Sequence, residues 1–174
     1  MKIFILLLLS LMNVTLIYDF KKDSSLKDWS IVDDGVMGGL SQGMFSIDND
    51  GNGVFSGRVS IENNGGFSSI RHQFDKIQTT KDSKVSIRLK GDGKVYQFRI
   101  KDKQNSYYSY ITTFKTSGKW ETIEIKLSDL YPSFRGRKLD LPNFSNDSFE
   151  EIVFLIGNKK TESFQLVLDK IEIQ

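Results

Sequence analysis

The chain has 174 residues, of which 39% are hydrophobic and 12% aromatic, with two prolines, fourteen glycines and no cysteine. That length can bury a sizeable core in one domain, and the missing thiols exclude disulfides, thiolate metal centres and cysteine nucleophiles. A formal net charge of +2 gives no global pull toward nucleic acid or anionic lipid, so any electrostatic preference must be local.

The N-terminal stretch MKIFILLLLSLMNVTLI places one lysine ahead of an apolar run from Ile3 to Met12. This order suits the h-region of a secretory signal, and the run falls short of the ~20 apolar residues that a spanning helix needs. Only Ser10 and Thr15 offer small residues near a cleavage point, and the lack of arginine separates the stretch from a mitochondrial presequence. We expect residues 1–16 to form a signal or hydrophobic N-terminal segment and residues 17–174 a single domain. The protein would then be exported or membrane-associated, in a periplasmic or other extracytoplasmic setting, with no membrane span in the mature domain. A buried first strand is the competing reading, and it would leave the protein cytoplasmic.

Val14 to Phe20, VTLIYDF, reads as the first strand. The stretch that follows, DDGVMGGLS from Asp33 to Ser41, has an echo in IENNGGFSSIR from Ile61 to Arg71. Gly35, Gly38, Gly39, Gly65 and Gly66 permit positive φ or close approach of a second chain. Asp33, Asp34, Asn63 and Asn64 can hydrogen-bond to nearby backbone and hold turns in shape. These residues are expected to shape loops at the corners of an all-β fold. Asp33 and Asp34 diverge in an extended chain and so make a poor acid/base pair. The G-x-x-G-G pattern runs into strand rather than helix, which excludes a dinucleotide fingerprint, and no P-loop lysine follows.

From Gly43 onward, short alternating segments recur between turn signals, the pattern of a sandwich or barrel. DNDGNG, Asp48 to Gly53, opens like an EF-hand loop, but Val59 stands where the bidentate glutamate belongs, so a hairpin tip explains it better. KVSIRLK and KVYQFRI flank Gly91-Asp92-Gly93, a hairpin signal, and YYSYITTF and KWETIEIKL flank Thr116-Ser117-Gly118. LSDLYPS, Leu127 to Ser133, predicts one helical turn capped by Ser128 and stopped near Pro132. EEIVFLIG and SFQLVLDKIEI supply the last strands.

Alternation also assigns faces. Val85, Ile87 and Leu89, then Tyr96, Phe98 and Ile100, point to the core, as do Ile70 and Phe74. If these strands share a sheet, its outer face carries Arg71, Arg88, Gln97 and Arg99, and the segment Tyr107 to Tyr110 can add a ring. Arginines and a carboxamide suit hydroxyl or carboxylate groups, and a ring suits stacking; the plainer reading is an ordinary solvated sheet face. His72 is the sole histidine, and its place beside Ile70 and Phe74 favours a packed ring over a catalytic one. SFRGRKL, Ser133 to Leu139, is the densest basic cluster, with Gly136 allowing a tight loop that presents Arg135 to an anionic ligand or a carboxylate-rich partner. Pairing with Asp140 or a turn aspartate is the structural alternative. Three charges give little nucleic-acid affinity, and a nucleic-acid partner is not expected.

DDGVMGG followed by Ser41, VFSGRVSIENNGGFSSIR from Val54 to Arg71, GKWETIEIKLSDLYPSFRG from Gly118 to Gly136 and FQLVLDKIEI from Phe164 to Ile173 together resemble the complex I intermediate-associated protein 30 family. The similarity runs from about Ile17 to the end, with several motifs in the family's order. It implies a jelly-roll β-sandwich of the galactose-binding-like type, without known catalysis; the residue pattern itself predicts no cofactor and no metal site, and leaves open a sandwich-type calcium site with ligands from distant loops. It also implies an assembly-factor role through protein–protein contacts, with respiratory complex I or another membrane complex as partner. The alternative is an exported carbohydrate-binding module that takes a glycan on the polar sheet face. Candidate partner-binding residues are Arg71, Gln97, Arg99, Tyr107 and Arg135. No nucleophile, base and orienter converge in the pattern, so no enzyme is expected.

Overall fold

The computed structural model describes residues 14–174, and the expected secretory segment therefore lies almost wholly outside the described residues. Among the described residues thirteen strands account for the regular structure. They are β1 (Thr15–Asp19), β2 (Trp29–Asp33), β3 (Gln42–Ile47), β4 (Gly53–Val59), β5 (Ser68–Gln78), β6 (Lys84–Lys90) and β7 (Val95–Lys101). β8 (Ser109–Lys115), β9 (Trp120–Lys126), β10 (Tyr131–Phe134), β11 (Arg137–Lys138), β12 (Ser148–Ile156) and β13 (Glu162–Ile173) complete the set. Only three short 3-10 turns interrupt them, at Asp34–Met37, Glu62–Asn64 and Leu127–Asp129. The protein is an all-β jelly-roll sandwich.

One sheet runs β3-β4-β13-β6-β9, with β1 also paired to β13, and the seven-stranded sheet runs β11-β10-β8-β7-β12-β5-β2. All pairings are antiparallel. Each sheet turns its apolar alternate positions inward. Phe55, Val85, Ile87, Leu89, Leu166 and Leu168 come from the first, and Ile70, Tyr96, Phe98, Ile100, Ile152 and Phe154 from the second. At one end the core is aromatic: His72 stacks on Trp29 with ring centroids 4.6 Å apart, and Tyr18 meets both rings edge-on. The His72 Nδ1–H donates to the Asp28 carbonyl at 3.1 Å, and burial lowers the pKa of the ring.

The expected hairpin at Gly91-Asp92-Gly93 is instead a crossover. β6 pairs with β13 and β9, whereas β7 pairs with β12 and β8, so Gly91-Asp92-Gly93 carries the chain from one sheet to the other. Thr116-Ser117-Gly118 carries it back from β8 to β9. The two turns interlock, so their turn residues hold the crossovers in place. The Asp92 carboxylate accepts from the Gln165 amide of β13 at 3.0 Å and from the Tyr96 hydroxyl of β7 at 3.1 Å, joining the sheets. The Thr116 hydroxyl accepts from the Gly93 amide and donates to the Lys94 carbonyl, both at 3.0 Å. A Cβ on Gly91 would fall 2.3 Å from the Thr116 side chain.

Two smaller expectations are also corrected. The turn at Leu127–Asp129 has Lys126 at its N-cap with no side-chain capping bond, and Pro132 belongs to β10 rather than stopping a helix. Arg88 lies on the outer face of the other sheet, 5.4 Å from the Trp120 ring, because β6 does not share a sheet with β5 and β7. The β3–β4 hairpin does form at DNDGNG, where Asp48 accepts from the amides of Asp50 and Asn52 at 2.9 and 2.8 Å.

Candidate functional site

The outer face of the seven-stranded sheet assembles its side chains row by row, because directly paired residues in an antiparallel ladder share a face. One row crosses six strands as Ser30, Arg71, Val153, Arg99, Ile111 and Tyr131. A second runs Val32, Ser69, Leu155, Gln97 and Thr113. A third joins Gln73, Glu151 and Lys101. Arg71, Gln97 and Arg99 therefore come together at the centre of one face. Arg71 and Arg99 stand on either side of Val153, about 9.5 Å apart at the backbone on ordinary strand spacing.

The floor beneath them is apolar and covered. Val153 is 3% exposed, Ile111 4% and Leu155 6%, yet none of these side chains points to the interior core. The half-buried arginine and glutamine side chains around them account for that cover. The Arg99 Nε–H donates to Gln97 Oε1 at 3.0 Å, so Gln97 fixes the guanidinium along its own strand. Burial and the charge of Arg71 lower the pKa of Arg99 to about 10. Among the described residues every ion pair uses a lysine, and neither arginine has a carboxylate partner. Arg71 Nε is buried without an acceptor. Glu151, 1% exposed on the same face, accepts from Gln73 Nε2 at 2.7 Å through one oxygen, while its Oε1 finds no donor within the protein.

Tyr107 and Arg135 do not join this centre. Each lies against Phe134 at the rim, on the β10–β11 edge of the same sheet. Arg135 and Gly136 take φ of 48° and 76°, the left-handed pair that a tight two-residue turn requires. That turn lays the Arg135 guanidinium 5.3 Å from the Phe134 ring. Phe134 packs edge-on to Tyr107, whose exposure of 65% makes it the most open aromatic ring among the described residues. Lys138 sits 5.3 Å from the Tyr131 ring. The basic cluster thus rests on aromatic faces, and Asp140 is not among its partners. Tyr131 is the ring that sequence reasoning missed, having been read into a helical turn.

The two glycine-rich motifs converge on a single carboxylate. Asp34 is completely buried and accepts from the Ser41 amide at 3.0 Å, the Ser41 hydroxyl at 2.5 Å, the Gly66 amide at 2.6 Å and the Phe67 amide at 3.2 Å. Burial opposes its ionisation, but these donors outweigh it and hold the carboxyl below the usual aspartate range. A Cβ on Gly39 would stand 2.2 Å from Asp34 Oδ1, and one on Gly65 2.6 Å from Oδ2, so both chains can approach only as glycine. Asp33 turns the other way and accepts from the Gly43 amide at 2.9 Å. Asn63 and Asn64 take left-handed φ of 55° and 61°. Gly38 ends the first turn at φ 85°, while Gly35 lies exposed within it. Asn64, Gly65 and Gly66 line a shallow cleft with Ile61, Phe67 and Lys159. No three His, Cys, Asp or Glu side chains converge as metal ligands among the described residues.

This architecture is that of a galactose-binding-like jelly roll. A family 11 carbohydrate-binding module from Clostridium thermocellum, solved in complex with a β-1,3-1,4-mixed-linked tetrasaccharide, superposes with a TM-score of 0.67 at 18% identity, over 92% of this chain and 94% of that one. The family 11 module of the cellulosomal cellulase Lic26A-Cel5E of Clostridium thermocellum gives 0.65 at 16% identity over the same shares. An exo-β-agarase contains a similar sandwich, with a TM-score of 0.57 at 11% identity over 91% of this chain and 25% of the enzyme. The family profile of complex I intermediate-associated protein 30 matches residues 18–168, and the chain belongs to that family. No helix of the described residues is long and apolar enough to cross a membrane.

Proposed function

We propose that this chain is a non-catalytic binding domain that takes a saccharide on the outer face of its seven-stranded sheet. One observation carries the reading: on that face a buried donor, Arg71 Nε, and a buried acceptor, Glu151 Oε1, lack protein partners. Such groups are costly to leave unpaired. A polyol, whose hydroxyls both donate and accept, suits the pair. Val153, Leu155 and Ile111 back the arginines from beneath without reaching the surface, so a sugar would meet the polar side chains and, at their edge, the half-buried Tyr131 ring. The tetrasaccharide bound by the family 11 module of the same fold supports this ligand class.

A glycan array probed with the tagged domain tests the reading, with calorimetry on any hit. Tyr131→Ala and Arg71→Ala should each weaken binding at least tenfold; binding that survives both changes would move the site elsewhere.

A second reading rests on the rim. Tyr107 and Phe134 are 65% and 38% exposed beside Arg135, and tyrosine and arginine are common anchors of protein interfaces. With family membership, this favours an assembly-factor contact with a membrane complex such as respiratory complex I. An affinity pull-down of full-length protein decides it: recovery of such subunits, lost in Arg135→Ala but kept in Arg99→Ala, supports the rim. For location we propose that residues 1–16 direct export ahead of one domain over 17–174, which fractionation and N-terminal sequencing of the mature protein would test.

A further inference from the structure

The saccharide reading leaves the chemical class of the sugar open, and the arginine pair narrows it. Arg71 and Arg99 flank Val153 in one row, with no ion-pair partner for either among the described residues. Lys101 adds a third positive charge, and among the described residues its Nζ is engaged only by the Gln104 carbonyl at 3.3 Å. Glu151 is the one carboxylate placed in the rows described, and it is held by Gln73 rather than by either arginine. The face is therefore net cationic within a chain that is nearly neutral.

Two like charges brought together over an apolar floor are mutually unfavourable. Burial and the neighbouring Arg71 already lower the pKa of Arg99. An uncharged sugar would satisfy the free N–H groups but leave that repulsion in place. A carboxylate between the forks would satisfy both, since guanidinium groups accept carboxylates in paired, planar hydrogen bonds.

We infer that the ligand is an acidic saccharide, a uronate whose carboxylate lies between Arg71 and Arg99 above Val153. This rests on the saccharide reading. Gln97 is a positioning residue, since it holds Arg99 by the Nε contact and need not touch the sugar.

The test compares matched polymers: polygalacturonate and alginate against the same polymers after carboxyl reduction, with dextran sulfate as a polyanion of different geometry. Binding to purified domain is read by affinity electrophoresis and calorimetry. We expect a uronate to bind at least tenfold more tightly than its reduced form. Arg71→Ala and Arg99→Ala should each weaken uronate binding roughly ten- to hundredfold, the range for one charge-assisted contact, while Arg88→Ala on the opposite sheet should leave it unchanged. Arg71→Lys and Arg99→Lys keep the charge and lose the fork, and should fall between. Circular dichroism and melting temperature of each variant separate lost binding from lost fold.

Equal binding to native and reduced polymers would overturn the acidic-ligand inference and leave the saccharide reading standing. Failure to bind any polymer of either kind would overturn both. Equal binding of dextran sulfate, or equal loss in Arg88→Ala, would mean diffuse attraction to polyanions and would also refute the inference.

Discussion

Replacing Asp34 by alanine strands the Ser41, Gly66 and Phe67 amides that its carboxylate receives, together with the Ser41 hydroxyl. The hydroxyl keeps a contact with the Ser60 carbonyl at 3.3 Å. Gly66 and Phe67 lie in half-buried chain that can open toward water, whereas Ser41 is 6% exposed and its amide cannot. One stranded buried amide costs about 1–3 kcal/mol, and two partly relieved ones add about 0.5–1 kcal/mol each. The cavity left by the carboxylate brings the sum to about 3–6 kcal/mol. For a domain of this size that lowers the melting temperature by roughly 6–24 °C. Asp34→Asn keeps the volume but turns an NH2 toward an N–H donor, and should cost about 2–4 kcal/mol.

The pH dependence has a definite sign. The folded carboxyl titrates below its unfolded value of about 4. Its contribution is therefore complete above that value and is lost as pH falls through the folded pKa. Urea unfolding with a constant m-value, run at pH 7 and in steps below pH 4, measures both effects. Wild type should lose stability along the acid limb more steeply than Asp34→Asn. Variants that melt within about 2 °C of wild type at pH 7, or an acid limb unchanged by the substitution, would refute the claim that this carboxylate holds the two motifs together.

Gly39→Ala and Gly65→Ala each drive a methyl into Asp34 and should cost about 2–4 kcal/mol by chemical denaturation, whereas Gly35→Ala meets open space and should stay within about 0.5 kcal/mol. His72 titrates below its ordinary value, so stability should be full above about pH 6.5 and decline below it until the folded pKa is passed. Melting curves at pH 7.5 and 5.5 would show that decline, and its persistence in His72→Phe would exclude the imidazole as its source. Asp92→Ala removes the acceptor shared by Gln165 and Tyr96 and should destabilise by about 2–4 kcal/mol, with faster hydrogen exchange of the Gln165 amide as its local signature.

Periodicity made most of the fold legible. The inward sets Val85-Ile87-Leu89 and Tyr96-Phe98-Ile100 could be read because each strand has one face in the core, and a one-residue slip would expose the whole set. Which strands share a sheet could not be read the same way. Gly-Asp-Gly scores as a hairpin turn by local φ preference, but the Asp92 contacts that make it a crossover come from Gln165, far along the chain. That error put Arg88 beside Arg71 and Arg99. Tyr131 was missed because Ser128 and Pro132 imitate a helix cap and stop. The convergence of Asp33–Ser41 and Ile61–Arg71 on one carboxylate was likewise beyond local reasoning, although both motifs were visible. One usable signal went unread: SFEEIVFLI is apolar on both alternations from Ile152 onward, as a strand covered on both faces should be. That pattern alone marks the outer face over Val153 and Leu155 as sheltered.

The division of labour among charges connects fold to site. Asp33, Asp34 and Asp48 are all engaged by backbone amides at turns, and Asp92 by an amide of β13 as well as by Lys94. Carboxylates bound to amides in this way are fixed by chain geometry, so they cannot move to neutralise a cation elsewhere. The remaining ion pairs lie between lysines and acids close in sequence, as in Lys170–Glu172, or diagonal across a strand pair, as in Lys84–Glu124, and such exposed pairs contribute little to stability. The arginines are left over. Four of them lie against a ring or across the outer sheet face: Arg88 by Trp120, Arg135 by Phe134, and Arg71 and Arg99 astride Val153. Of these, only Arg71 and Arg99 share a row of one sheet, and the Nε of Arg71 is buried there without a protein acceptor. Acids committed to turns and arginines free of acids are what a scaffold needs if its ligand is to bring the counter-charge, and the uronate comparison tests that directly.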